Sequence, residues 1–578
     1  MDLITAVRQY VTKMVETAGP GMKVLLMDKE TTSIVSTVYA QSEIMQKEVY
    51  LFERIDSGSV MSSGSTREHI RHLKCITFVR PTSDNVNFLA AELRQPKYGL
   101  YYIYFSNVIS KADVKVLAEA DEQEVVREVQ EFYADFVAVN RHVFSLNLTK
   151  VYQCLSWSTP ALRRSVQGLA SVLLSLRKNP IIRYQASSQL AKRQAEDLKT
   201  FMTKESALFD FRRSDIRPLV LILDRRDDAV SPLLNQWTYQ AMVHELLGII
   251  NNRVNLESVP GISKDMREVV LSAIQDEFYE KNLYANFGEI GSRIKQLMDE
   301  FQTTAKTHKK VESIADMKAF IEHYPQFKKM SGTVSKHVTL VGELSRLVGL
   351  YNLLEVSEAE QMLACHDEHS QSLQTVRRLI ESEKTSDLDA TRLVMLYALH
   401  YEQHSNNDIN NLTQALKRRG VPDKYCKSVS DLVEFGGSRV RGSDLFGNLN
   451  AMSFTKKFIR GLKGVENIYT QHQPVLHETL TNLMKGKLKE STFPHLLDKE
   501  QQMIQGRPGD VIVFMIGGIT YEEALAVHNI NRTQNTAGSR IILGGTTIHN
   551  GRSFIEEVIC AVEGTLRSAA NQSRHHLT

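Results

Sequence analysis

The stretch Pro218–Ile250, PLVLILDRRDDAVSPLLNQWTYQAMVHELLGII, decides how the rest of the chain is read. Its first apolar run, Leu219 to Leu223, lies between Pro218 and Asp224. A short run without polar alternation marks a strand buried on both faces, as in parallel sheets. Five charged residues follow, Asp224-Arg225-Arg226-Asp227-Asp228, and then Ser231-Pro232. Tyr239, Met242, Val243, Leu246, Leu247 and Ile250 recur at steps of three and one, which is one face of a helix. A buried strand therefore passes through a charged turn into a helical region, and the turn reads as a joint between domains.

Upstream of the joint the pattern is α/β. Apolar runs at Lys23–Met27, Val49–Phe52, Cys75–Val79 and Leu100–Phe105 are spaced as strands of a mainly parallel sheet. Lys111–Val137 reads as helical, with Val114 and Leu117 three apart and Val125, Val126 and Val129 along a stripe; taken alone, all five suit a core. A strand is expected at His142–Leu146, and helices at Pro160–Leu176 and Gln185–Phe209. Downstream, Arg253 to Gly461 carries almost no strand signal. Pro325 should end or bend a helix there, and Lys306–Lys310 and Glu381–Asp387 are polar enough for loops. After Tyr469 the sheet pattern returns: strand Asp510–Ile516, turn Gly517-Gly518, capping-box spacing at Thr520 and Glu523, strand Arg540–Leu543, turn Gly544-Gly545. Placing these strands beside Leu219–Leu223 makes one sheet interrupted by a helical insertion. The expected domains are an N-terminal α/β domain over 1–138, a discontinuous central α/β domain over 139–247 and 462–578, and an inserted, mainly helical domain over 248–461.

At 578 residues the chain exceeds one hydrophobic core. Its 70 basic and 67 acidic residues are too balanced for a nucleic-acid binder. Five scattered cysteines form no CxxC pair, which points to a reducing compartment and to neither a disulfide framework nor zinc. The N-terminus is amphipathic and charged rather than a signal peptide, and no run approaches the ~20 apolar residues of a membrane span, so membrane contact is expected only through partners.

No stretch nominates catalysis. The glycine pairs fit neither GxGxxG nor a P-loop. Asp224, Asp227 and Asp228 are interrupted by two arginines and read as an ion-paired turn, not a Mg²⁺ site. Cys365-His366-Asp367-Glu368-His369 and His400-Tyr401-Glu402-Gln403-His404 miss the HExxH arrangement and read as solvated surface. The expectation is a protein that is not an enzyme and has no cofactor or metal.

FVRP at Phe78–Pro81, LILDR at Leu221–Arg225, SPLLNQWTYQAMVHE at Ser231–Glu245, DEF at Asp276–Phe278, VENIYTQHQP at Val465–Pro474, VFMIGGITYEEA at Val513–Ala524 and IILGGTT at Ile541–Thr547 resemble the SM family, the Sec/Munc-type, syntaxin-binding regulators of SNARE-driven membrane fusion. KVLLMDKETTSIVS, YGLYYIYFSNVISK, LAEADEQE and FKKMSGTVSKHVTLVGEL are most similar to its vacuolar-protein-sorting branch, which serves the trans-Golgi network and endosomes. The resemblance implies a three-domain arch of α/β class, with an inner cavity surface near Asp28. It also implies a peripheral place on Golgi and endosomal membranes. The implied partners are a syntaxin-type Qa-SNARE of those membranes, a vesicle SNARE and the assembled SNARE complex, and an endosomal Rab effector. A syntaxin N-terminal peptide would lie in an apolar groove of Ile109, Val114, Leu117, Val126 and Val129, with Glu131 at the rim to pair a basic residue. Leu117→Arg would then spare the fold and abolish that binding. A SNARE-templating hairpin would hinge at Pro325, with Val338 in contact and Leu340 as its support. The rival reading is a helical tethering scaffold without a dedicated syntaxin site.

Overall fold

The computed structural model describes residues 1–58, 68–211, 216–308, 314–446, 468–496, 508–533 and 539–575. The boundary expected at 461–462 and the first residues of the VENIYTQHQP motif lie outside them.

The N-terminal part is an open parallel sheet. Helix α1 (Leu3–Thr17) leads into β1 (Lys23–Met27), α2 (Lys29–Val38), α3 (Gln41–Met45), β2 (Val49–Arg54), β3 (Ile70–Val79), α4 (Ser83–Arg94), β4 (Tyr98–Phe105), α5 (Lys111–Ala120) and β5 (Val126–Glu131). The strand order is β2-β1-β3-β4-β5, and every pairing is parallel. The long helix read over Lys111–Val137 is corrected: it stops at Ala120, and Val126–Glu131 is an edge strand. The cause is local. Asp121 accepts the backbone N–H of Val125 at 2.9 Å and of Val126 at 3.1 Å, which turns the chain back along β4. The β-branched valines then find a ladder that a helix would not offer them.

The second sheet gathers distant strands in the order β10-β11-β14-β15-β7-β6. These are β6 (Val137–Ala138), β7 (Val143–Ser145), β10 (Ile181–Tyr184), β11 (Leu219–Asp224), β14 (Val511–Ile516) and β15 (Ile541–Gly545). Two-residue strands β8 (Tyr152–Gln153) and β9 (Ser156–Trp157) form a separate hairpin. Leu219 pairs with Val511 and Asp224 with Ile516, in parallel, although almost three hundred residues separate them in the chain. Every residue of β11 and β14 is buried, as their unbroken apolar runs require. Thr520 and Glu523 make the expected reciprocal cap, with Thr520 N–H donating to the carboxylate at 2.8 Å and Glu523 N–H to the hydroxyl at 3.3 Å.

Helices α6 (Thr159–Ser175) and α7 (Gln189–Lys204) accompany this sheet. Helix α8 (Tyr239–Leu246) is shorter than its apolar stripe suggests. Gly248, at φ 82°, donates to the carbonyls of Val243 and His244 and ends it. Ile250 consequently leaves the buried face and is exposed. A small hairpin, β12 (Arg253–Asn255) with β13 (Glu268–Val270), precedes α9 (Glu277–Asn282), α10 (Phe287–His308) and α11 (Ile314–Leu350). The loop expected from Lys306 is therefore helical as far as His308. Helices α12 (Leu353–Cys365), α13 (His369–Glu381), α14 (Asp387–Tyr401), α15 (Ile409–Arg419) and α16 (Asp423–Gly436) follow, with α14 almost wholly buried among the others.

Candidate functional site

Three places carry the chemistry that the sequence singled out. The first is the charged turn after β11, where each side chain is spoken for. Asp224 accepts from Ser188 Oγ at 2.6 Å and from Tyr152 Oη at 3.1 Å. Arg225 donates to the carbonyls of Gly518 and Asp228, both at 3.0 Å, and pairs with Glu523. Arg226 donates to the carbonyl of Phe435 at 2.8 Å. Asp227 accepts the N–H groups of Gly442 and Ser443, and Asp228 those of Ser231 and Val475. The turn is thus an ion-paired joint that clasps the second sheet to the helical segments. Among the described residues no group of three or more His, Cys, Asp or Glu is arranged to hold a metal ion.

The second place is the edge of the first sheet. Tyr101 pairs with Val126 and Tyr102 with Glu128, so Arg127 is an extra, bulged residue. Beyond the bulge Val129 pairs with Ile103 and Glu131 with Phe105. Paired residues of a parallel ladder project to the same side, and successive residues to opposite sides. The bulge therefore puts Val126, Val129 and Glu131 on one face, which they could not share in a regular strand. That face is the one bearing Tyr101, Ile103 and Phe105, whose core cluster includes Leu117 and Ala120 of α5 and is flanked by Ile109 and Val126. Val114 is 37% exposed and Val129 is 41% exposed, whereas Leu117 is only 3% exposed. Glu131 accepts the backbone N–H of Ile109 and the hydroxyl of Tyr133, both at 2.8 Å, so both of its oxygens already serve the fold. Leu117, expected in the groove, lies at its buried side, so the arginine of Leu117→Arg would have to place its charge against this core or turn out of it.

The third place is the α10–α11 hairpin. Its core side carries Val334, His337, Leu340, Leu344 and Leu347, all buried. Its other side carries Gly332, Ser335, Val338, Gly342, Ser345 and Gly349 at steps of three and four, all exposed. A Cβ added at Gly332, Gly342 or Gly349 would meet nothing within 4 Å. Val338 is 36% exposed and Leu340 is fully buried. Of the expectation that Pro325 ends or bends a helix, the ending is corrected: α11 is continuous from Ile314 to Leu350, through position 325. Proline removes one backbone hydrogen bond and costs a helix ~3 kcal/mol, which a cooperative run of many turns can absorb.

Two features were missed or misread. His337 is fully buried and bonded to Tyr239 and Asp276; the DEF motif was the available signal, but it pointed to no partner. The histidines of HYEQH are not solvated surface. The His400 side chain is 7% exposed and bonds the carbonyl of Leu363, and the His404 ring stacks on His369 at 3.9 Å. His366, Asp367 and Glu368 are exposed, as read.

The Sec1 family model matches residues 23–557. The chain belongs to the Sec1 family. Within that family it is 63% identical over 562 residues to vacuolar protein sorting-associated protein 45 of Homo sapiens, covering 97% of this chain and 96% of that protein. The Saccharomyces cerevisiae protein of the same name is 37% identical over 552 residues, covering 93% and 94%. A solved SM protein Vps45 in complex with the Qa SNARE Tlg2 superposes with a TM-score of 0.89 at 46% identity, over 98% of this chain and 99% of that one. The Unc18–syntaxin 1 complex from Monosiga brevicollis shares the fold, with a TM-score of 0.76 at 20% identity and 97% and 100% coverage. The Sec1-family fold, a three-domain arch of α/β class, is therefore the fold of this chain.

Proposed function

We propose that the protein is a Sec1-family regulator of vesicle fusion that binds a Qa-SNARE and templates SNARE assembly in trans-Golgi and endosomal transport. The observation that carries this reading is the likeness, over 98% of the chain, to a protein solved in complex with a Qa SNARE. The geometry supports it in two ways. The bulge in β5 assembles an apolar face with Val114 and Val129 exposed beside α5, suited to an extended peptide with an apolar anchor worth about 1.5–3 kcal/mol. The small-residue face of α11 lets a second helix approach closely, as helix packing through ridges and grooves needs. The work is non-covalent, and the protein reaches the membrane through its partners; among the described residues no helix is long and apolar enough to cross one.

Calorimetry with the cytosolic region of a trans-Golgi or endosomal syntaxin, and with its N-terminal peptide alone, tests this. The wild type binds both, and Val129→Arg weakens the peptide at least tenfold while melting like the wild type, because its site is half open to solvent. Failure of the wild type to bind any such syntaxin refutes the function. Wild-type peptide affinity in Val129→Arg refutes the groove.

A further inference from the structure

On the described side chains of α11, Val334 is the first to enter the core, and the segment that follows is held there by a polar chain. His337 lies one turn beyond Val334. Its Nδ1 is 2.7 Å from Tyr239 Oη and its Nε2 is 2.9 Å from Asp276 Oδ2. An ionised carboxylate only accepts, so Nε2 carries the imidazole proton and Nδ1 receives the tyrosine hydroxyl. Asp276 also caps α9, accepting Tyr279 N–H at 2.9 Å, and pairs with Lys336. Lys336 in turn donates to the carbonyl of Val270 at 3.1 Å. The imidazole is caged by rings, at 4.7 Å from Phe278, 5.7 Å from Tyr239 and 6.3 Å from Tyr279. Three elements thus meet at one residue of the hairpin: α8 through Tyr239, the α9 cap through Asp276, and α11 itself.

This arrangement is directional. Consecutive residues of a helix stand roughly 100° apart, so His337 pointing into the core obliges Val338 to point away from it. Rotating α11 by one residue would leave Tyr239 Oη and the His337 imidazole without their buried partners and take from Asp276 the His337 bond, though not the Tyr279 N–H it caps; a buried polar group is costly to leave unpaired. Apolar packing of Leu340 and Leu344 alone would tolerate a slip more easily, because it has no donor and acceptor to match. We propose that the Tyr239–His337–Asp276 chain is a register clasp, with His337 as a positioning residue that fixes which face of α11 is offered to a SNARE helix. The proposal rests on the reading of α11 as a SNARE-docking surface, and it moves the control point of the hairpin from Pro325 to His337.

The test uses the full chain with three readouts: hydrogen exchange across 334–347, affinity for the Qa-SNARE cytosolic region, and the rate of SNARE-complex assembly from purified trans-Golgi SNAREs. Tyr239→Phe removes one hydrogen bond without changing ring volume. It should raise exchange in 334–347 roughly three- to tenfold, slow assembly several-fold, and leave Qa-SNARE affinity within about twofold of the wild type. His337→Gln, whose amide can keep the bond to Asp276 but not the one from Tyr239, should match it, and the double variant should be no slower than either single one. A merely structural role would instead lower the melting temperature while each folded molecule assembled SNAREs at the wild-type rate; that result overturns the clasp. If the wild type itself fails to accelerate assembly, the docking reading fails and the clasp with it.

Discussion

Removing the guanidinium of Arg225 is the sharpest test of how the sheet and the helices are joined. Arg225 and Glu523 are both 0% exposed, and the pair sits where β11 and the helix Tyr521–Thr533 meet. Arg225→Met keeps the apolar stem but strips donors from the carbonyls of Gly518 and Asp228, each 3.0 Å away. It also leaves Glu523 buried without its cation. Burial already pushes the Glu523 carboxyl above the usual range, and Arg225 is what opposes that push. Breaking such a pair from one side costs about 3–5 kcal/mol. Replacing both partners by apolar groups of similar volume is close to neutral in comparable pairs. The assay is urea unfolding followed by the fluorescence of Trp157 and Trp237, the only two tryptophans in the sequence. Because a chain of this size need not unfold in one step, the shift is read on the transition that exposes the buried Trp237. Arg225→Met should lose about 3–5 kcal/mol, and Arg225→Met with Glu523→Leu should recover more than half. A single variant within 1 kcal/mol of the wild type, or a double variant no better than the single, would refute the reasoning.

Two further outcomes follow from the same bonds and faces. Burial holds His244 at a pKa of about 4, and burial together with Arg225 holds His549 at about 3. Both are neutral in the fold but titrate near 6.5 when unfolded, so the unfolded chain binds the extra protons. Stability is therefore untouched above pH 6.5 and falls as pH drops from 6.5 towards 4, by at most ~1.4 kcal/mol per pH unit per histidine; His244→Gln should flatten that fall in pH-dependent urea titrations. Gly342→Ala, with open space around the new methyl, should stabilise α11 by up to about 1 kcal/mol yet slow SNARE assembly, and faster or equal assembly would dismiss the close-approach face.

The legible parts of this sequence were those in which one local rule met no competitor. Leu219–Leu223 and Val511–Ile516 had to be central strands, because unbroken apolar runs of that length have no solvent face to offer. The run DRRDD between a buried strand and a helix had to find partners, since charges at such a joint are desolvated whichever way they point. What escaped was decided by distant pairing or by single φ angles. Ile181–Tyr184 is too short for its own pattern and is a strand because β11 lies beside it. Val126 and Val129 keep a helical interval, and only the bulge against β4 lets them share a face in a strand. Ile250 continued the stripe of α8, but a left-handed glycine two residues earlier had already ended the helix.

In open α/β sheets the carboxyl ends of the strands form the rim where ligands bind, and both rims here are occupied by bonds between segments. In the first sheet Asp28 accepts the N–H of Arg80 at 2.7 Å and the amide of Asn85 at 2.6 Å. Arg80 and Arg164 flank the buried Asp135 at 3.0 and 3.1 Å, tying β3 to α6. Near Asp28, Ser33 of α2 accepts from Asn251, which also accepts from Asn147, so three distant segments meet beside that rim. In the second sheet the rim is the Asp224–Asp228 turn. Side chains that a doubly wound enzyme would aim at a substrate are aimed at neighbouring segments instead. On the function proposed above, recognition falls to surfaces outside the rims: the edge strand whose bulge puts its valines on one face, and the exposed face of α11. Both suit segments of another protein, and both depend on joints rigid enough to hold those surfaces in place, which is what the buried arginines provide.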